Sequence, residues 1–145
     1  SIFPNLRNSK YIAVDLETCD PNLTTLGPGW VRGDGFVVGV AISAGDFSGY
    51  YPIKHQGGGN LPMEKVMSWV AEQMATPNIP KVMHNAMYDL GWLHWAGVKV
   101  QGKIIDTMVA APLIDENRFS YALDSLGRDY IDMRKDEKTL QVYLI

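Results

Sequence analysis

Two carboxylates at the end of an apolar run constrain the fold of this chain more than any other feature. Asp15 and Glu17 follow the run Tyr-Ile-Ala-Val at 11–14, and a single residue separates them. A short apolar run of this kind is typical of a buried strand, and side chains two residues apart on a strand point to the same face. We therefore predict a sheet whose first strand ends in two acids lying side by side.

The closeness of the two acids has an electrostatic cost. Like charges repel and raise each other's pKa unless a cation lies between them, and a divalent metal ion bound by carboxylate oxygens is a common solution. The alternative interpretation is that one acid only caps the turn Thr-Cys-Asp-Pro at 18–21. The acid pair alone does not decide between these two interpretations.

The remaining apolar patterns predict an α/β fold with a mixed five-stranded sheet flanked by helices. We predict strands at 11–14, 36–43, 49–53, 80–83 and 103–105. We predict helices at 62–74, 86–96, 107–114 and 121–131. A glycine-rich connection at 21–35 follows the first strand, and the short link between the next two strands favours their antiparallel pairing.

Composition limits the class of protein. The chain has 145 residues, of which 46% are hydrophobic and 20% charged. This length and composition predict one globular domain, residues 1–145. The net charge of −3 argues against broad electrostatic attraction to nucleic acid, so that a phosphate-binding site would need positive charge from metal ions. No apolar run reaches the roughly 18 residues of a membrane span and no signal-peptide pattern is present, so we expect an intracellular protein without a membrane partner.

A second polar segment follows the fourth predicted strand. Residues 84–89 read His-Asn-Ala-Met-Tyr-Asp, and they open a predicted helix. Asn85 and Asp89 are four residues apart and are expected to share a helix face, which directs Asp89 towards the exit of the sheet. The alternative is that Asn85 caps the helix and Asp89 is a surface acid in its first turn, where the helix dipole favours negative charge.

The combination of these motifs resembles the 3′–5′ proofreading exonuclease domain of family A DNA polymerases. That domain belongs to the DEDD exonuclease superfamily, which has an RNase H-like fold. The resemblance covers residues 11–131 and is carried by Asp15-x-Glu17 and Asn85-x-x-x-Asp89. Further matches are Tyr-Pro-Ile at 51–53, Ile-Asp-Thr-Met at 105–108 and Leu-Asp-Ser-Leu at 123–126.

The resemblance implies that Asp15, Glu17 and Asp89 are catalytic and bind two divalent cations, Mg²⁺ or Mn²⁺. Asp15 would bridge both ions, Glu17 would help to hold the tighter one, and Asp89 would support the other through water. Two such ions activate a water molecule and stabilise the leaving 3′ oxygen. The residues expected to contact the terminal nucleotide are Thr18, Leu23, His84, Asn85 and Tyr88.

One motif of the family has no match in this chain. The third motif, Tyr-x-x-x-Asp on a later helix, supplies a tyrosine that orients the attacking water and a fourth acid for the tighter metal ion. We find no substitute for it before Ile145. The resemblance therefore implies a domain that is incomplete at its C-terminus, with little activity on its own, unless Asp106 or Asp124 completes the site.

The function implied by the resemblance is hydrolysis of 3′-terminal phosphodiester bonds of single-stranded DNA. The implied partners are the 3′ end of that strand and the polymerase domain of a parent chain, in the cytoplasm of a bacterium or a phage-infected host cell. Two alternatives remain open. One is a related RNA-trimming exonuclease of the same superfamily, and the other is a non-catalytic nucleic-acid-binding or structural module with the same fold.

Overall fold

A mixed five-stranded sheet lies at the centre of the part of the chain that the computed structural model describes, residues 2–110. Its strands are β1 (Ile12–Cys19), β2 (Phe36–Ala44), β3 (Phe47–Pro52), β4 (Lys81–Met83) and β5 (Ile104–Asp106). They lie in the order β3-β2-β1-β4-β5. The pairs β1–β2 and β2–β3 are antiparallel, whereas β1–β4 and β4–β5 are parallel. The predicted mixed five-stranded sheet is therefore confirmed.

Helices flank this sheet. They are α1 (Leu23–Leu26), a 3₁₀ helix (Gly29–Val31), α2 (Met63–Met74), α3 (Ala86–Trp95) and α4 (Thr107–Ala110). The predicted helices at 62–74 and 86–96 are confirmed to within one residue at each end. The sequence did not predict the two short helices inside the connection at 21–35. The remainder of the helix predicted at 107–114, and all of that at 121–131, lie outside the described residues.

The first strand is longer than predicted. β1 pairs with β2 as far as Cys19, opposite Phe36, with a shift in register between Glu17 and Thr18. The two acids therefore lie inside the strand, which continues for two residues beyond Glu17, and not at its end as predicted. The physical reason is that an unbroken apolar run marks only the part of a strand that is buried on both faces, whereas a half-exposed part alternates.

The two faces of the sheet differ in chemistry. Val14 and Leu16 of β1 point to one face and are buried in the hydrophobic core. Tyr51 of β3 lies on the same face, and its ring is 4.8 Å from the ring of Trp69, which places α2 over that face. Because side chains alternate, Asp15 and Glu17 point to the opposite face. The core thus anchors β1 without involving the acids.

The connection at 21–35 folds back onto α3. The ring of Trp30, in the 3₁₀ helix, lies against Gly91 of α3, and a Cβ atom at Gly91 would overlap that ring. Close approach of this kind is a common reason for glycine within a helix. The contact places the connection beside the helix that contains Asp89.

Candidate functional site

The acid pair lies on a face of the sheet where the neighbouring strand has small residues. Asp15 is opposite Ala41 of β2, and Glu17 is opposite Gly39. Both acids are partly exposed. β1 runs parallel to β4, with Ala13 opposite Val82. The two acids therefore lie in β1 just beyond the level at which β4 ends, and α3 begins shortly after that end. The topology therefore brings the two predicted acidic segments to the same edge of the sheet.

Asp89 is buried in the first half of α3, with a residue exposure of 4%. The alternative interpretation of Asp89 as a surface acid is therefore wrong. Asn85 precedes the helix in a left-handed conformation, with φ of 60°, and its side chain makes no capping hydrogen bond. Because Asn85 lies outside the helix, the prediction that it shares a helical face with Asp89 is also wrong.

Asp106, at the end of β5, caps α3 in place of Asn85. Its Oδ1 accepts hydrogen bonds from the amides of Asn85 (2.9 Å) and Met108 (3.0 Å), and its Oδ2 accepts one from the amide of Ala86 (2.9 Å). Burial raises the pKa of this carboxyl, but the hydrogen bonds from the amides of Ala86, Met108 and Asn85 outweigh it and lower the pKa below its ordinary value. Asp106 thus fixes the start of the helix that contains Asp89.

Tyr88 joins three segments through its hydroxyl. It donates a hydrogen bond to Oδ2 of Asp20 over 2.9 Å, and its oxygen lies 2.8 Å from Oγ1 of Thr18. The same oxygen of Asp20 accepts the amide of Gly29 over 3.0 Å. Burial raises the pKa of Tyr88, which keeps the hydroxyl a donor. Asp20, which the sequence indicated only as a turn residue, thus connects the end of β1 with α3 and the 3₁₀ helix.

An open hollow of about 400 Å³ lies beside this network. It is lined by Leu23, Pro28, Trp30, Asn85, Met87 and Tyr88. Leu23, Asn85 and Tyr88 are among the residues predicted to contact a nucleotide, and Thr18 does not line the hollow but is hydrogen-bonded to Tyr88. His84 is exposed instead, with its Nδ1 2.9 Å from Oγ1 of Thr107. The structure therefore groups four of the five predicted nucleotide-contacting residues, and their role stays a prediction.

Tyr50 of β3 also lies on the acid-bearing face, and no sequence motif predicted a role for it. It is opposite Ala41, which in turn is opposite Asp15. Its side chain is buried, and its hydroxyl lies 2.5 Å from Nε2 of His55. Burial, followed by the charges of Glu17 and Asp15, raises the pKa of Tyr50. The tyrosine is therefore within electrostatic reach of both acids.

The donor chemistry of the acids suits a hard divalent cation, which prefers carboxylate oxygens. Within residues 2–110, however, no group of three or more His, Cys, Asp and Glu side chains is arranged to hold a metal ion. Asp15 and Glu17 lie on one sheet face, whereas Asp89 is buried in α3. Binding of a metal ion by all three acids therefore stays a prediction.

The helices of the described region give no membrane span. None of those between residues 2 and 110 is both long and apolar enough to cross a bilayer.

Comparison with known proteins identifies relatives over nearly the whole chain. A family model described as 3′-5′ exonuclease matches residues 1–143. A DNA-directed DNA polymerase of Pseudomonas phage M6 is 34% identical over 145 residues, which cover 97% of this chain and 22% of the relative. DNA polymerase I of Chloroflexus aurantiacus is 37% identical over 114 residues, 78% of this chain and 11% of the relative. The chain thus spans less than a quarter of the length of either polymerase.

Solved structures support the fold. Brucella melitensis NrnC has a TM-score of 0.52 at 24% identity, over 76% of this chain and 48% of that one. The same protein bound to pGG has a TM-score of 0.51 at 22% identity, over 75% of this chain and 46% of that one. The predicted RNase H-like fold is thereby confirmed.

The Asp106 cap predicts a pH-dependent stability. Because the folded pKa of Asp106 lies below its ordinary value of 3.8, its contribution is fully present above that value and is lost as the pH falls through the folded pKa. Asp106→Asn replaces one of the two accepting oxygens by an NH₂ group, which cannot accept a backbone N–H, so we expect the free energy of unfolding to fall by about 1–2 kcal/mol at neutral pH. Urea unfolding of wild type and variant at decreasing pH should show the difference shrinking.

Asp46→Asn is the matched control for this change. Asp46 is exposed in the turn between β2 and β3, so its loss should leave the stability nearly unchanged at every pH. A deficit in Asp106→Asn that stayed constant down to strongly acidic pH would contradict the capping role of the ionised carboxylate.

Proposed function

Because the chain belongs to the 3′–5′ exonuclease family of family A DNA polymerases, we propose that it hydrolyses 3′-terminal phosphodiester bonds of single-stranded DNA. The observation that supports this most strongly is the acid pair, which lies partly exposed on one face of the sheet. Asp15 and Glu17 are opposite small residues of β2, and the start of α3 lies at the same edge. A strand end could approach the carboxylates there without displacing the core.

Two divalent cations, Mg²⁺ or Mn²⁺, complete the proposed site. Asp15, Glu17 and Asp89 would hold them. When bound, they supply activation of water and charge stabilisation of the leaving oxygen. The net charge of −3 fits this proposal. A chain with an excess of acidic residues offers little positive charge to a bound phosphate, so metal ions would supply much of it. The chain's own contribution is to fix the carboxylates on a rigid strand and helix.

The hollow beside Tyr88 is the proposed place for the terminal base. Its lining combines the aromatic rings of Trp30 and Tyr88 with the apolar side chains of Leu23 and Met87, the latter 82% exposed. Stacking on such surfaces tolerates any base, because every base has a π-face. Thr18 and Asp20 hold the Tyr88 hydroxyl, which leaves the ring oriented along one wall of the hollow.

The parent protein and its location follow from the relatives. We infer a polymerase domain in the same polypeptide, because the similar proteins of phage M6 and Chloroflexus are DNA polymerases several times longer than this chain. A cytoplasmic location in a bacterium or a phage-infected cell fits the same relatives.

An RNA-trimming exonuclease is the second candidate function. The similarity in fold to Brucella melitensis NrnC, solved bound to pGG, favours it. Similarities to DNA polymerases at 34% and 37% identity favour the DNA substrate. Cleavage assays with DNA and RNA strands of the same sequence distinguish the two candidates.

Metal binding gives the first test of the proposal. We expect Mn²⁺ to bind the wild-type chain weakly, since waters would fill part of its coordination shell, and Asp15→Ala to abolish measurable binding. Isothermal titration calorimetry measures both, and Asp46→Ala, at an exposed turn, is the control that should bind as wild type does. Equal Mn²⁺ affinities of wild type and Asp15→Ala would contradict the proposed metal site.

Substrate preference gives the second test. We expect tighter binding of single-stranded DNA with a free 3′ hydroxyl than of blunt duplex, and a loss of about 1–3 kcal/mol of binding free energy in Tyr88→Ala. Fluorescence anisotropy with labelled DNA measures both quantities. Trp95→Ala removes an exposed aromatic ring from the far end of the same helix and should have little effect. The same affinity for single strand and blunt duplex would contradict the proposed mode of binding.

A further inference from the structure

The side chain of Tyr50 lies over Gly39, the residue of β2 that is paired with Glu17. Gly39 of β2 is paired with Glu17 on one side and with Pro52 on the other. A Cβ atom at Gly39 would overlap the hydroxyl oxygen of Tyr50. The hydroxyl therefore occupies the space above Gly39, on the sheet face to which Glu17 points, at the level of that acid.

His55 also contacts the Tyr50 hydroxyl. Its Nε2 lies 2.5 Å from the Tyr50 oxygen, and the two rings meet edge to face with centroids 5.7 Å apart. Asn60 holds the backbone of His55, since its Oδ1 accepts the His55 amide over 2.7 Å and its Nδ2 donates to the His55 carbonyl over 2.9 Å. The position of the hydroxyl is thus set by groups outside the acid pair.

The hydroxyl has one proton to donate, and its surroundings favour donation towards the acids. A neutral imidazole has one N–H, and when Nε2 bears it His55 donates to the tyrosine oxygen. The phenolic proton is then available for another acceptor, and Glu17 points to the same sheet face at the level of the hydroxyl.

We propose that Tyr50 is a positioning residue for Glu17, to whose carboxylate its hydroxyl donates a hydrogen bond while His55 supports the hydroxyl. This inference rests on the proposed function, because it concerns Glu17 as a metal ligand. Glu17 has particular need of such a partner. The register of β1 shifts immediately after Glu17, so the strand pairing constrains its side chain less than that of Asp15.

Tyr50→Phe tests this inference, because it removes only the hydroxyl group of Tyr50. Partners that orient a metal ligand typically contribute about 10–100-fold to metal affinity, so Tyr50→Phe should weaken Mn²⁺ binding by about 10-fold. Calorimetric titration of the 145-residue chain gives the affinity, and urea unfolding of the metal-free protein gives the stability. The expected result is weaker binding that the change in stability does not explain.

Tyr51→Phe is the matched control. Tyr51 is the next residue of β3, is equally buried and also has a raised pKa from burial, but it points to the core face and its hydroxyl donates to the carbonyl of Ile2. The same atom is removed on the opposite side of the sheet. We expect Tyr51→Phe to bind Mn²⁺ as wild type does.

Gly39→Ala tests the same contact from the other side. The added methyl group would overlap the Tyr50 hydroxyl and push it from its place, while both hydroxyl and carboxylate remain in the protein. We expect Mn²⁺ affinity to fall in the same direction as in Tyr50→Phe. Unchanged affinity in Gly39→Ala, with the stability reduced, would contradict a positioning role.

The outcomes separate this inference from the proposed function. If the wild type fails to bind Mn²⁺, or binds it equally well after Asp15→Ala, the proposed metal site fails and the role of Tyr50 fails with it. If Asp15→Ala abolishes binding while Tyr50→Phe binds as wild type does, the positioning role alone is overturned. Equal weakening in Tyr50→Phe and Tyr51→Phe would mean that both hydroxyls act only through stability, which also overturns it.

Discussion

The antiparallel pairing of β1 with β2 determines where the acids of this protein lie. The register from Ala13 opposite Ser43 to Glu17 opposite Gly39 sends the two carboxylates to one face and Val14 and Leu16 to the core. A slip by one residue would exchange the faces and bury two charges among apolar side chains, which is why the hydrophobic pattern specifies the register so strongly. The position of Asp15 and Glu17 on one face of the sheet is thus a consequence of the packing of Val14 and Leu16 on the other face.

The second part of the site depends on contacts between segments that are distant in the sequence. Asp106 caps the start of α3, and Tyr88 of that helix is bonded to Thr18 and Asp20 at the end of β1. Helix ends and tyrosine hydroxyls require such partners when they are buried. Together these bonds hold the start of α3 and the hollow beside the end of β1.

The sequence was sufficient for the sheet and for the larger helices, because they follow from periodicity and turn residues. It was insufficient for the end of β1, whose half-exposed part has no unbroken apolar run, and for the burial of Asp89, which depends on the packing of α3. It also did not reveal Asp20 or Tyr50, since their importance arises from partners that the fold brings close. Gly39 and Gly91 could have indicated close approach, but not which side chain approaches.

The central claim is that the face containing Asp15 and Glu17 is the metal-binding, nucleolytic face of the sheet. Anomalous diffraction from crystals of the chain grown with Mn²⁺ tests it most directly, because it locates the ion without any assumption about activity. The account predicts an anomalous peak within coordination distance of carboxylate oxygens of both Asp15 and Glu17. A peak at another face of the sheet, or an ion bound with both carboxylates turned away from it, would contradict the account.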